Sequence, residues 1–207
     1  NMGNYKESLA SFEVIYKVSQ KHGFKELYKN SLIGLGIVNS KIAKYENTIK
    51  YNDELYRTCL HLKDKRGMLT SMINKAEAFY CRGELSRAYQ IYNDTLKASR
   101  NSCQQHEIAI CTGNLGIIHY SRNEFKKALK FFQVQLGGFI NLDDKAGISR
   151  AYGLLGSCYI SIGDFEKALF YLKKHLAMSK LLKRKQSIAM CLNNIGVVYN
   201  LMGMHDH

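Results

Sequence analysis

Small and apolar residues recur along this chain at a fixed step of 40 positions. Gly116, Gly156 and Gly196 form one column, and stepping back reaches Ala76 and Gly36. Seven residues later runs a second column, Gly3, Ala43, Gly83, Asn123, Gly163 and Gly203. Close behind stand an apolar column (Tyr5, Tyr45, Leu85, Phe125, Phe165) and a small one (Ser8, Thr48, Ala88, Ala128, Ala168). The period holds without insertion. Such a step marks units that bury their apolar faces only by stacking on their neighbours.

Each unit reads as two helices. In the first, helix A, Tyr152, Leu155 and Tyr159, or Leu192, Ile195 and Tyr199, fall on one face of a 3.6-residue helix. The Gly/Ala column between them lets a neighbouring helix approach closely. The Gly/Asn/Ala column ends helix A, because Gly and Asn tolerate the left-handed conformation of a tight turn. Helix B opens on Glu84, Glu124 or Asp164, negative charge that suits a helix N-terminus. Its buried stripe is, for example, Phe165, Ala168, Leu169 and Leu172. A polar stretch such as Leu142-Asp143-Asp144-Lys145 links to the next unit.

The predicted fold is therefore all-α: a right-handed superhelical solenoid of antiparallel helix pairs, about five repeats in one domain over residues 1–207. The chain opens on a B helix and closes on an A helix, and neither end has the polar outer face of a cap. It reads as a segment of a longer repeat array. Gly137-Gly138-Phe139 falls inside a B helix, with Phe139 where other units carry Ser or Cys. A local bend is expected there, the glycines letting the backbone adjust around an oversized side chain.

These residues resemble the tetratricopeptide repeat family. Asn114-Leu115-Gly116, Asn123-Glu124-Phe125 and Ala128 carry its marks, as do Leu155-Gly156, Tyr159, Gly163-Asp164-Phe165 and Ala168. The 40-residue unit, and Asp144-Lys145-Ala146-Gly147 leading into Arg150-Ala151-Tyr152-Gly153, are most similar to the LGN/Pins and rapsyn-like scaffolds. The proline usual at the end of a repeat is absent, and the unit at 43–61 is weak, with Ala43 for Gly and Thr48 for Ala. The resemblance implies a non-catalytic scaffold for protein–protein interaction, with A helices lining a concave groove that holds an extended peptide. It implies cytoskeletal, polarity or ciliary adaptor partners.

One A-helix column outside the core holds Gly34, Asn74, Asn114, Leu154 and Asn194. Asn costs helix propensity, and its amide can clamp an extended backbone. By the resemblance, Asn74, Asn114 and Asn194 contact bound peptide; bonding to neighbouring helices or water is the alternative. The same register places Lys41, Tyr80, Tyr120 and Arg150 at the groove, with Arg82 and Arg122 at A-helix ends. Arg pairs carboxylates in a bidentate fork, so an acidic-leaning segment is expected.

Composition narrows the alternatives. The chain has 207 residues, no Pro and a formal charge of +13. Lys167, Lys173, Lys174, Lys180, Lys183, Arg184 and Lys185 face only Asp164 and Glu166 within the last unit. This basic run falls mostly on the outer B helix and its loop. It makes a nucleic-acid-binding repeat the second reading, disfavoured because the groove columns hold no base-reading pair and few aromatics. A third is a peptide-sensing or regulatory repeat domain of a larger protein. The six cysteines form no C-x-x-C pair and read as small buried thiols. His205-x-His207 is a weak metal signal. No catalytic constellation, cofactor loop or membrane-spanning run is present, which points to a non-enzyme without cofactor or metal. Its expected place is the cytoplasm, in association with the cytoskeleton if the resemblance extends to partners.

Overall fold

The computed structural model of the protein describes residues 2–203. Within them the chain forms ten helices and no strand: α1 (Met2–His22), α2 (Lys25–Lys41), α3 (Tyr45–His61), α4 (Lys65–Cys81), α5 (Leu85–Asn101), α6 (Gln105–Ser121), α7 (Phe125–Asn141), α8 (Lys145–Ile162), α9 (Phe165–Leu181) and α10 (Lys185–Leu201). A 17-residue helix such as α4 and a three-residue turn make 20 residues. Two of these make the 40-residue period. The even-numbered helices are the A helices and the odd-numbered ones the B helices. The fold is an α-solenoid of helix pairs. The pair His205 and His207 lies outside the described residues.

Every turn contains one residue in the left-handed region, twenty positions from the last. Gly83 and Gly163 do so at φ 83° and 85°, and Asn123 at 59°. The B-to-A turns use the same geometry with Gly23, Lys63, Cys103, Asp143 and Lys183. The bonds are those of a Schellman motif: the Lys63 N–H donates to Leu60 O at 3.2 Å and the Asp64 N–H to Cys59 O at 2.9 Å. The next helix then starts at once, and Asp64 and Asp144 cap α4 and α8 by accepting from the Gly67 and Gly147 N–H groups.

The chain divides into two compact units, the first ending at Glu107 and the second beginning at Ile108. In the first, Leu32, Leu55 and Cys59 form the centre, with Tyr16, Tyr28 and Tyr51 packed around them. The Tyr16 and Tyr28 rings stack at 5.2 Å, and both hydroxyls donate to Glu54. In the second, Ala128, Phe132, Leu155 and Cys158 form one cluster and Tyr159, Ala168, Leu172 and Val198 another. Helices approach through the small column: the Phe132 ring fills the space beside Gly116, and Leu172 that beside Gly156. At Gly196 the equivalent space is open. Leu192, expected in the buried stripe, is 54% exposed, because no described helix covers that side of α10.

Two further expectations are corrected. The α7 helix is continuous from Phe125 to Asn141, so Gly137-Gly138 does not interrupt it. Room for Phe139 comes from Gly147 on α8, whose missing side chain is where the ring sits. And although Cys59, Cys111, Cys158 and Cys191 are buried, Cys81 and Cys103 are exposed. Cys81 is the last residue of α4, and Cys103 holds a left-handed turn position.

Candidate functional site

The outer positions of the A helices carry the polar residues the sequence singles out, and each unit has its own hollow among them. In the first unit, Asn74 on α4 lines a hollow of about 180 Å³ with Lys41, Ser40, Thr48 and Glu77. The Asn74 amide makes no side-chain hydrogen bond among the described residues. At the end of α4, Arg82 is held by Glu84 at 2.9 Å and Glu46 at 3.6 Å, over the Phe79 ring. Tyr80 is half-buried and engaged by neighbours. Charge in this hollow is mixed.

The second unit differs. A hollow of about 320 Å³ is lined by Ser149, Arg150, Gly153, Leu154 and Ser157 of α8, His175 of α9, and Arg184, Ser187, Met190 and Asn194 around α10. Its charged and titratable lining is Arg150, His175 and Arg184, with no carboxylate. Among the described residues neither arginine is ion-paired. Arg150 Nη2 donates to Asn114 Oδ1 at 3.2 Å, tying two predicted residues one repeat apart. Asn114 is buried, while Asn194 is half-buried and its amide has no hydrogen-bond partner among the described residues.

The other predicted residues of this unit lie elsewhere. The Tyr120 hydroxyl bonds Ser161 Oγ at 2.8 Å while its ring packs on the edge of Phe125. Arg122 is exposed at the end of α6 and has an interaction partner.

Two charged or titratable lining residues escaped the sequence reading. His175 belongs to a B helix, yet its ring reaches the A face because Gly153 has no side chain; a Cβ there would lie 2.8 Å from the ring. Burial lowers the His175 pKa below its ordinary value, so the ring is neutral at pH 7. The preceding repeat repeats the device, with Gln135 seated over Gly113. That recurring Gly–polar pair was the signal available. Arg184 was grouped with the outer basic run, but as the N-cap residue of α10 it lines the A face.

The rest of the chemistry is structural. Asp53 pairs with Lys75 at 2.6 Å while its neighbour Glu54 accepts from tyrosines, so these adjacent carboxylates share no site. No three His, Cys, Asp or Glu side chains are grouped to hold a metal ion among the described residues. Among the same residues no helix is long and apolar enough to cross a membrane.

Comparison with known proteins agrees with this architecture. Residues 151–186, covering α8 and α9, match the family described as tetratricopeptide repeat. No curated protein matches the sequence. Among solved structures, the chain is similar to BtubC (BKLC) from P. vanneervenii, with a TM-score of 0.81 and 19% identity over 97% of this chain and 85% of that one. It is also similar to a Rap protein complexed with competence and sporulation factor, with a TM-score of 0.77 and 14% identity over 98% of this chain and 61% of that one. A third is a putative kinesin light chain with nearly identical TPR-like repeats from Podosopora anserina, at 0.63 and 12% over 84% and 86%. At these identities the likeness is one of fold. The matched segment and the fold together support a tetratricopeptide-type repeat family, whose members are typically protein-interaction modules.

Proposed function

We propose that this chain is a non-catalytic interaction scaffold that binds an extended, acidic-leaning segment of a partner protein across its A-helix faces. The observation that carries the reading is the hollow of the second unit, where Arg150 and Arg184 stand without a carboxylate beside the unpartnered Asn194 amide. Unpaired guanidinium groups in a hollow favour carboxylates strongly, through charge-assisted forked bonds. Asn194 then holds the segment's backbone, and Asn114 holds Arg150 in position. Asn74 and Lys41 offer the first unit's equivalent, with Glu77 tempering its charge. Arg82, Arg122, Tyr80 and Tyr120 act at the margins, since Arg82 and Tyr120 must exchange present partners to engage a ligand.

The reading of partners as cytoskeletal, polarity or ciliary adaptors rests on the resemblance to LGN/Pins-type repeats. The Rap structure, in complex with competence and sporulation factor, is a precedent for a fold of this kind holding a signalling factor.

The test is display selection of random peptides on the folded chain, followed by affinity measurement on an Arg150→Gln/Arg184→Gln/Asn194→Ala variant. Recovered peptides should be rich in Asp and Glu and should bind the variant at least about tenfold more weakly, each lost charged bond contributing about 1.5–3 kcal/mol. Peptides without acids, or equal binding by the variant, would overturn the reading.

A further inference from the structure

We propose that the hollow between α8, α9 and the start of α10 is a phosphomonoester subsite, which takes a phosphorylated Ser or Thr side chain of the bound segment. This rests on the preceding reading of the second unit's A face and specifies its ligand.

The polar side chains of the lining all carry hydrogen-bond donors, beside the apolar Leu154 and Met190. Two guanidinium groups, Arg150 and Arg184, are joined by the His175 ring, the Ser157 and Ser187 hydroxyls and the Asn194 amide. None of the last four has a side-chain hydrogen-bond partner among the described residues, and no acid lines the hollow. A single carboxylate brings one charge and two oxygens. The two arginines exceed that in charge, and with the neutral imidazole they exceed it in donor number. A phosphomonoester brings about −1.5 to −2 charge and three strong acceptor oxygens, which matches two guanidinium forks with donors to spare. The volume of about 320 Å³ admits its tetrahedral head. Arg150 is already fixed by Asn114, so less ordering entropy is lost on binding. His175, seated over Gly153, lies within the same lining and registers the arriving charge. Arg150 and Arg184 are the charged groups of that lining.

The experiment follows the His175 ring signals by NMR in the full chain. Three probes are titrated: N-acetyl-O-phosphoserine N-methylamide, its glutamate counterpart, and vesicles containing phosphatidylinositol phosphate. The phosphoserine probe should shift the His175 signals saturably and bind about tenfold or more tightly than the glutamate probe, as a second negative charge on paired arginines implies. Arg150→Gln/Arg184→Gln should abolish the shift while the helical circular dichroism is unchanged. Equal binding of the glutamate probe, binding of the vesicles alone, or no movement of His175 would each overturn the proposal. A display-selected acidic peptide is measured in parallel. If it binds while the phosphoserine probe shows no preference, only the phosphate assignment falls; if it too fails to bind, the scaffold reading falls with it.

Discussion

The ring of Phe139 on α7 occupies the space that a side chain at Gly147 of α8 would need. In neighbouring repeats the position of Phe139 is Ser99 or Ser179, both buried. The pair is therefore a local exchange of volume between two packed helices. Ala109 and Ile148 complete the cluster and prevent the ring from swinging aside. Gly147→Ala gains about 1 kcal/mol of helix propensity but overpacks this seat at a cost of about 1–3 kcal/mol. Net destabilisation of up to about 2 kcal/mol is expected by urea denaturation. In a Phe139→Ser background the same substitution should stabilise, and a double-mutant cycle reads the coupling. Additive effects would show that the ring and the glycine are not coupled.

The B-to-A turns give a second prediction. Lys63 and Lys183 hold left-handed conformations at φ 56° and 53°. A residue with a Cβ is disfavoured there by about 1–2 kcal/mol, while glycine loses about 0.5–1 kcal/mol more entropy on folding. Lys183→Gly should thus raise stability by about 0.5–1 kcal/mol. Gly83→Ala, at φ 83° with open space around it, should lower stability by about 1 kcal/mol. Thermal melts of the two variants moving in the same direction would contradict this account.

How much of this was legible can be read residue by residue. The columns through Gly116, Gly156 and Ala128 exposed the period, because close helix contact admits only small side chains. The A-to-B turns showed themselves as Gly83, Asn123 and Gly163. The equivalent turns at Lys63, Cys103 and Lys183 carry no such mark, since packing of the helices on either side imposes the conformation on residues that do not prefer it. Phe139 was read as a strain on its own helix because the compensating Gly147 lies on another. The Asn column was visible as a pattern, but only coordinates separate Asn114, bound by Arg150, from the unengaged Asn74 and Asn194. His175 was hidden because a B-helix side chain reaches the A face here only through the room that Gly153 leaves for its ring.

Acid should weaken the first unit through Asp64. Its carboxylate accepts from the Gly67 N–H at 2.9 Å and from Lys29 Nζ at 3.2 Å. The backbone bond, and then Lys29, hold its pKa below the usual carboxylate range against the opposing effect of burial. A pKa lower in the folded than in the unfolded chain gives stability that is complete above the unfolded value, about 3.9, and is lost as pH falls through the folded value. Asp64→Asn keeps a capping oxygen but not the charge. It should cost about 0.5–1 kcal/mol at pH 7, with the difference from wild type closing below pH about 4. A difference that persists undiminished at pH about 2 would mean the charge is not what stabilises the cap.

His175 acts in a different window. Burial lowers its pKa below the ordinary value. The unfolded chain then takes up the proton first, near pH about 6.5. Stability owed to the neutral ring is complete above that value and declines as pH falls toward the folded pKa. His175→Gln places in the fourth full repeat the residue that Gln135 already supplies over Gly113 in the third. It should remove part of the loss of stability below pH about 6.5 while leaving stability at pH 8 within about 1 kcal/mol of wild type. Denaturation midpoints across this range decide it. Parallel curves for the two proteins would show that His175 protonates as readily in the folded chain as in the unfolded one, and that the ring over Gly153 is open to water.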